Sequence, residues 1–221
     1  MDQLALQFFN LEVMAKAWPL LLRGLGMTAQ LCLAVIPLGL LGGLATALAS
    51  TSPSRWLRWP TIALIDLFRA LPPLVLLIFV YSGLPFTGLQ LPPFLAVVIA
   101  FLLNNSAYYG EIIRAGLISV PEGQSEAARS TGLTRSQTLI HVVLPQALRN
   151  VLPDLISNSV EVVKMTSLAS VVSLAELLYS ADMARSVTYN ASPITMAALI
   201  YLILLWPVVR LMSRFQRKIA I

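Results

Sequence analysis

Three long stretches of the chain carry no Asp, Glu, Lys or Arg: Gly24 to Ser54, Ala70 to Gly110 and Ser186 to Val209. A helix that crosses a bilayer needs about 20 consecutive, mostly apolar residues, so uncharged runs of this length confine the chain to a membrane-embedded architecture. The composition agrees, with 57% hydrophobic residues, 11% charged residues and a mean hydropathy of +0.80. Soluble domains carry about 25% charged residues. No linker or charge run divides the 221 residues, and the two proline pairs in "ALPPLVLL" and "QLPPFLAV" have unlike flanks. A single transmembrane domain over residues 1–221, without an internal repeat, is expected.

The first uncharged run reads as one span at about 19–50. The second contains a turn, because "SGLPFTGLQLPP" gathers glycines and prolines where a helix would not persist. It therefore yields two spans, at about 60–81 and 92–113, and the third run supplies the last, at about 190–210. The stretch 151–172 is interrupted by Asp154, Glu161 and Lys164. Charge asymmetry decides that case, since cytoplasmic loops are enriched in Lys and Arg. Arg55 and Arg58 follow the first span, Arg114, Arg129, Arg135 and Arg149 lie in the central segment, and Arg210, Arg214, Arg217 and Lys218 lie in the tail. If both the central segment and the tail are cytoplasmic, the chain crosses twice between them, so 151–172 must span. The expectation is an all-α membrane protein of five transmembrane helices, with its N-terminus outside and its C-terminus cytoplasmic. Trp18, Trp56, Trp59 and Trp206 fall near expected helix ends, as interfacial tryptophans do. The start "MDQLALQFFNLEV" lacks a basic region and a cleavage site, so the N-terminus is expected to be retained.

Several chemistries are excluded. Lys16, Lys164 and Lys218 follow Ala, Val and Arg, so no Gly-Lys-Ser/Thr phosphate loop exists. One cysteine, Cys32, and one histidine, His141, build neither an intrachain disulfide nor a Cys/His metal cluster. A membrane enzyme would need a catalytic constellation that these residues do not supply.

The central segment, about 118–150, is expected to be a cytoplasmic loop with helical punctuation. Pro121 suits a first helical turn, and Glu122 and Glu126 suit a positive helix N-terminus. Gly132 reads as a left-handed stop. Thr134 then reads as a new N-cap, with Gln137 completing a capping box, and the second helix is expected to reach about Val143 before Pro145 breaks or restarts the chain.

The run "EAARSTGLTRSQTLIHVVLP" resembles the EAA signature of the permease subunits of bacterial ABC importers, with Glu126, Ala127, Ala128, Gly132, Leu144 and Pro145 at the signature positions. The stretches "DLFRALPPLVLLIFVYSGLP", "NNSAYYGEIIRAGLISVPEGQSEAA", "LPQALRNVLP" and "VVKMTSLASVVSLAELL" are similar to the polar-amino-acid permeases of the histidine/glutamine/arginine type. The likeness runs from about Gly24 to the C-terminus. It implies the type I importer permease fold in the bacterial inner membrane, and import of a polar amino acid or a related zwitterion such as an opine. It also implies a separate P-loop ATPase that carries the ATP and Mg, a second permease subunit and a periplasmic solute-binding protein, with lipid around the helices, no nucleic acid and no cofactor on this chain. In this reading the short helix at about Thr134 to Val142 docks in the ATPase, and Glu126, Ala127, Ala128, Gly132, Thr134, Gln137, Leu144 and Pro145 form the coupling loop.

The intramembrane charges come as i,i+3 pairs of opposite sign: Asp66 with Arg69, Glu111 with Arg114, and Glu161 with Lys164. Mutual neutralisation and contact with a zwitterionic substrate are both open to them. The candidate pathway comprises Asp66, Arg69, Glu161 and Lys164, with Asn104, Asn105, Thr166 and Ser167 as neutral partners, while Glu111 and Arg114 lie nearer the cytoplasmic end. Relatives often read Glu-Leu-Phe-Arg-Gly-Thr-Pro and Lys-Asp-Thr-Ser-Leu, where this chain has Leu71 and Met165 in place of the polar Thr and Asp. Fewer polar groups on the pathway lean toward a heterodimer, in which a different permease supplies the missing contacts. A self-contained secondary transporter is the alternative, although five spans are few and no inverted repeat is visible.

Overall fold

The computed structural model describes residues 2–219, with side chains from 3 to 211. The side chains of Arg214, Arg217 and Lys218, counted above with the basic tail, lie outside the described ones. Helices follow one another in the order α1 (Asp2–Phe8), α2 (Leu11–Ser50), α3 (Arg55–Ala70), α4 (Pro73–Ile78), α5 (Pro93–Ser119), α6 (Glu122–Ser130), α7 (Arg135–Thr138), α8 (Leu144–Asn150), α9 (Leu152–Met165), α10 (Leu177–Thr188) and α11 (Ser192–Ile219). No strand occurs among the described residues. Among the described residues four helices are long and apolar enough to cross a membrane, or five when the broken pair α3 and α4 counts as one.

The helices depart from the expected spans where local chemistry overrides apolar content. The first is far longer than 19–50, because α2 runs unbroken for 40 residues from Leu11. At 1.5 Å per residue that is about 60 Å, twice the hydrocarbon thickness of a bilayer. Glu12 and Lys16 pair on its first turns, so polar content at that end is neutralised without ending the helix. The second span, expected to be one helix over 60–81, is broken. Leu71 turns extended (φ −79°, ψ 128°) because it precedes Pro72, and a residue before proline is driven out of helical geometry. Beyond α4 the chain widens into a π-helical turn at Phe79–Gly83 and tightens into a 3₁₀ turn at Leu84–Thr87. Gly88 then closes the turn at φ +87°. The charged stretch at 151–172 is helical throughout, as α9 followed by a 3₁₀ turn at Thr166–Val172.

The chain divides into two compact units, each assembled from distant segments. One comprises Met1–Ile36, Pro73–Phe101 and Val160–Ile221. Its core packs Leu21 and Ala17 of α2 against Leu177, Ala181 and Ala184 of α10 and Ala197 of α11. Small alanines at these contacts let helices approach closely, the packing mode that substitutes for the hydrophobic effect inside lipid. The short α1 is tied to the α10–α11 turn, where Ala191 N donates to Gln7 O at 3.0 Å and Asn190 Nδ2 to Leu6 O at 2.9 Å.

The other unit comprises Pro37–Pro72 and Leu102–Ser159. Its core gathers Ala47, Tyr109, Ile113, Val151 and Leu155. Here α2 and α5 nearly touch at the backbone, since a Cβ added at Gly43 would lie 2.9 Å from the Gly110 nitrogen. The Thr46 hydroxyl lies 3.0 Å from Gly43 O and 3.1 Å from Ser106 O, so its proton is shared between carbonyls of the two helices. Tyr109 is fully buried and its hydroxyl meets Ser159 Oγ at 2.8 Å, which carries the polar end of a large side chain into α9.

Candidate coupling elbow and membrane charge sites

The central segment is a helical elbow whose geometry follows from a few residues. Helix α6 ends at Thr131, and Gly132 takes φ +92°, a conformation that L side chains rarely adopt. Thr134 caps α7 with both bonds of the capping box: Gln137 N donates to Thr134 Oγ1 at 3.3 Å, and Thr134 N donates to Gln137 Oε1 at 2.9 Å. Of the two expectations for Pro145, restarting the chain holds, since it stands in the first turn of α8. A π-helical turn at Leu139–Val143 precedes α8 and widens the path just where proline, lacking an N–H and crowding the preceding carbonyls, would otherwise disrupt an α-helix.

The elbow is pinned to a membrane helix at two points. A Cβ at Gly116 of α5 would lie 2.7 Å from Ala147 O, so α8 rests on α5 at backbone distance. Asn150 Nδ2, at the end of α8, donates to Ser119 Oγ at 2.9 Å, at the end of α5. On the other side α6 packs against α7 and the widened turn, and Ala128 is its buried residue. Glu126, Ala127, Pro145 and the tip residues Arg135, Ser136, Gln137, Ile140 and His141 are exposed, and Leu144 is half-buried. The result is a short, capped, exposed tip that continues into a helix packed on α5.

The charge pairs fare differently from one another. Glu161 and Lys164 pair on α9 and stay exposed, and Ser167 beside them donates to Lys164 O at 2.8 Å. Glu111 and Arg114 pair bidentately, with the Arg114 Nε bond at 2.9 Å. The expected Asp66–Arg69 pair is absent from the ion pairs among the described residues. Arg69 instead lies over the Tyr108 ring, 5.6 Å from its centroid. Asp66 faces a cavity that it shares with Arg58, Glu111 and Arg114. The asparagines, expected to meet substrate, are already committed within the protein. Asn104 is buried and donates to Phe68 O at 2.9 Å, and Asn105 is buried and accepts from Asn158 Nδ2 at 3.3 Å. Thr166 is also fully buried, its hydroxyl donating to Val163 O at 2.7 Å.

Sequence reasoning missed Glu176. It is fully buried, its carboxylate accepts from Leu178 N at 2.8 Å and Tyr179 N at 2.7 Å, and Tyr201 Oη lies 3.4 Å away. Thr28 of α2 accepts the neighbouring Leu177 N at 3.2 Å, so side chains satisfy three amides of the first turn of α10. Burial pushes the Glu176 carboxyl above the usual carboxylate range, against the opposing pull of its two backbone donors. Glutamate is not among the favoured N-cap residues, which left only its place before an apolar run as a signal.

The fold and the pinned elbow together define the membrane subunit of an importer driven from outside its own chain. Residues 36–221 match the family of binding-protein-dependent transport system inner membrane components. The probable amino-acid ABC transporter permease YckA of Bacillus subtilis (strain 168) is 35% identical over 94% of this chain and 91% of its own length. The glutamine transport system permease GlnP of Escherichia coli (strain K12) is 32% identical over 96% of this chain and 99% of its own. Among solved structures, that of an amino acid ABC transporter with histidines superposes with a TM-score of 0.84 at 38% identity, covering 93% of this chain and 96% of the other. The inward-facing MetNI methionine ABC transporter shares the fold, with a TM-score of 0.74 at 21% identity over 90% of this chain and 95% of the other. The chain belongs to this family of inner-membrane components and is an ABC importer permease of the amino-acid type. It is a transport subunit rather than an enzyme, it works with a separate ATPase and a solute-binding protein, and the self-contained secondary transporter is not favoured.

Proposed function

We propose that this permease carries a polar amino acid, or a small zwitterion such as an opine, into the cytoplasm, with the elbow α6–α8 seated on the ATPase as the coupling device. The amino-acid assignment rests first on 38% identity to an amino acid ABC transporter of known structure over nearly the whole chain. Relatives assigned to glutamine, arginine and cystine support the class without choosing within it. The exposed Lys164 and Glu161 on α9, with Ser167 beside them, offer both signs of charge to a ligand that carries both an ammonium and a carboxylate. Arg69, which forms no ion pair among the described residues and lies over the Tyr108 ring, extends the candidate pathway.

The elbow reading puts the basic ends of the spans in the cytoplasm, the C-terminus inside and the N-terminus outside, in line with the excess of arginine after α2 and in the elbow. ATP with its Mg belongs to the partner ATPase, and this chain has no role in holding either. The apolar Leu71 and Met165 on the pathway favour a second, different permease as the dimer partner.

Uptake into vesicles holding the permease, its ATPase and its binding protein tests the assignment, with a panel of labelled amino acids offered outside. The expected result is ATP-dependent uptake of one zwitterion class. Lys164→Met is expected to lower that uptake about tenfold or more at unchanged membrane abundance. Equal losses of uptake and abundance would make the Glu161–Lys164 pair structural.

A further inference from the structure

Two adjoining cavities lie within the unit formed by 37–72 and 102–159, and neither belongs to the elbow. One, of about 490 Å³, is lined by Arg58 and Asp66 of α3, Glu111 and Arg114 of α5, and Ser50 at the end of α2. The other, of about 350 Å³, is lined by Ala45 and Ala49 of α2, Leu64 and Phe68 of α3, and Leu103 and Ala107 of α5. Ile65 of α3 lines both, so the charged cavity and the apolar slot abut at this side chain.

Their order along the helices fixes their depth. Ser50 is the last residue of α2, Arg58 lies in the first turn of α3, and Ile118 lies in the last turn of α5, so the charged cavity sits where α2 and α5 end and α3 begins. The apolar slot lies further along the same helices, toward the bilayer interior. Trp56 and Trp59 of α3 are exposed beside the charged end, the position that interfacial tryptophans take.

The charges inside the cavity are not all held in ion pairs, although Asp66 also attracts Arg114 across it. Glu111 and Arg114 hold one another bidentately. Arg58 lies over the Trp59 ring, 5.8 Å from its centroid, and has no ion-pair partner, and Asp66 has none either among the described residues. One unpaired cation and one unpaired anion, at headgroup depth above an apolar slot, match a molecule that carries a phosphate and an ammonium above an acyl chain. We propose that this is a binding site for a zwitterionic phospholipid with a primary ammonium, phosphatidylethanolamine. Arg58 takes the phosphate, Asp66 takes the ammonium, and one acyl chain lies in the slot beside Ile65 and Phe68. A guanidinium suits phosphate oxygens through paired N–H donors, whereas an anionic lipid without an ammonium would leave Asp66 facing negative charge.

The test uses the whole importer in mild detergent. The complex is exchanged into mixtures of phosphatidylethanolamine and phosphatidylglycerol, washed, and the retained lipid is counted by native mass spectrometry. The expected result is about one phosphatidylethanolamine held per permease chain after washing, with a preference of about fivefold or more over phosphatidylglycerol. Arg58→Gln is expected to lower retention of both lipids at least fivefold. Asp66→Asn is expected to remove the preference while retention of phosphatidylglycerol holds or rises, a change that unfolding does not produce. Ala49→Leu, which narrows the slot without touching a charge, is expected to lower retention of both. Retention equal for the two lipids in the unaltered protein would overturn the headgroup assignment, and retention unchanged by all three substitutions would overturn the site. Displacement of the lipid by the transported amino acid would show that the cavity takes substrate instead. Uptake of amino acid by the unaltered importer is measured separately, so failure of the lipid site leaves the transport assignment standing.

Discussion

Glu176 shows what a single residue does at a helix start inside a membrane protein. Its carboxylate takes the amides of Leu178 and Tyr179, and without it the first turn of α10 would leave donors unpaired in a closed interior. A carboxyl whose folded pKa lies above its unfolded value holds its proton more firmly when folded. Its contribution to stability is therefore complete below the ordinary carboxylate range and declines as the pH rises through the raised value. Glu176→Gln keeps the size and an acceptor but cannot ionise. The thermal midpoint of the variant relative to the unaltered importer is expected to rise as the pH is taken from about 4 to 8, read by a scanning unfolding assay on the purified complex. A flat difference would show that Glu176 does not change ionisation on unfolding. The sequence made charged residues legible where they stood in apolar runs with a partner three residues away, as Glu161 and Lys164 do. For Glu176 the one sign was its place before an apolar run, since its partners are backbone amides and a tyrosine 25 residues on.

The elbow is legible in the sequence where its devices are local. A capping box joins residues three apart, and a left-handed stop needs only a glycine, so Thr134, Gln137 and Gly132 could be read without knowing the fold. Pro145 and Leu71 separate local from non-local knowledge. The break before Pro72 follows from a steric rule about neighbouring residues, whereas the passage through Pro145 depends on a widened turn that α6 packs against. The contact of α8 with α5 was not legible at all, since Gly116 and Ala147 lie far apart in the chain. In the proposed coupling device that contact is the joint, and two substitutions separate its parts. Gly116→Ala sets a methyl against a carbonyl 2.7 Å away and must push α8 off α5. It is expected to lower ATP-driven uptake strongly while the ATPase still co-purifies. Thr134→Ala removes the cap of α7 at a cost of about 1 kcal/mol. It is expected to weaken retention of the ATPase in a pull-down, with little change in the thermal midpoint of the membrane subunit. If both variants behaved alike, the joint and the tip would not be separate parts.

At the scale of the molecule, the division of labour follows from what the chain lacks and what it fixes in place. An importer permease that works with a separate ATPase receives its motion through a surface. The surface proposed for that purpose is the exposed tip of α7, which is capped and which α8 joins to α5 by backbone packing. Helix α5 also carries Gly110 against α2 and Tyr109 against Ser159 of α9, so a shift of α8 meets three spans at once. A closely packed interior passes such displacement on as rigid-body movement. This makes the turn at Gly132 a mechanical part. Proline at that position cannot take φ +92° and removes the amide that donates to Arg129 O at 3.0 Å. Gly132→Pro is expected to leave insertion and membrane abundance unchanged while amino-acid uptake falls at least tenfold and ATP hydrolysis no longer responds to the loaded binding protein. Glu126→Lys, which reverses a charge on the exposed face of α6, is expected to have the same effect without altering the turn. Wild-type uptake in both variants would remove the elbow from the coupling path and leave α5 to be driven from elsewhere.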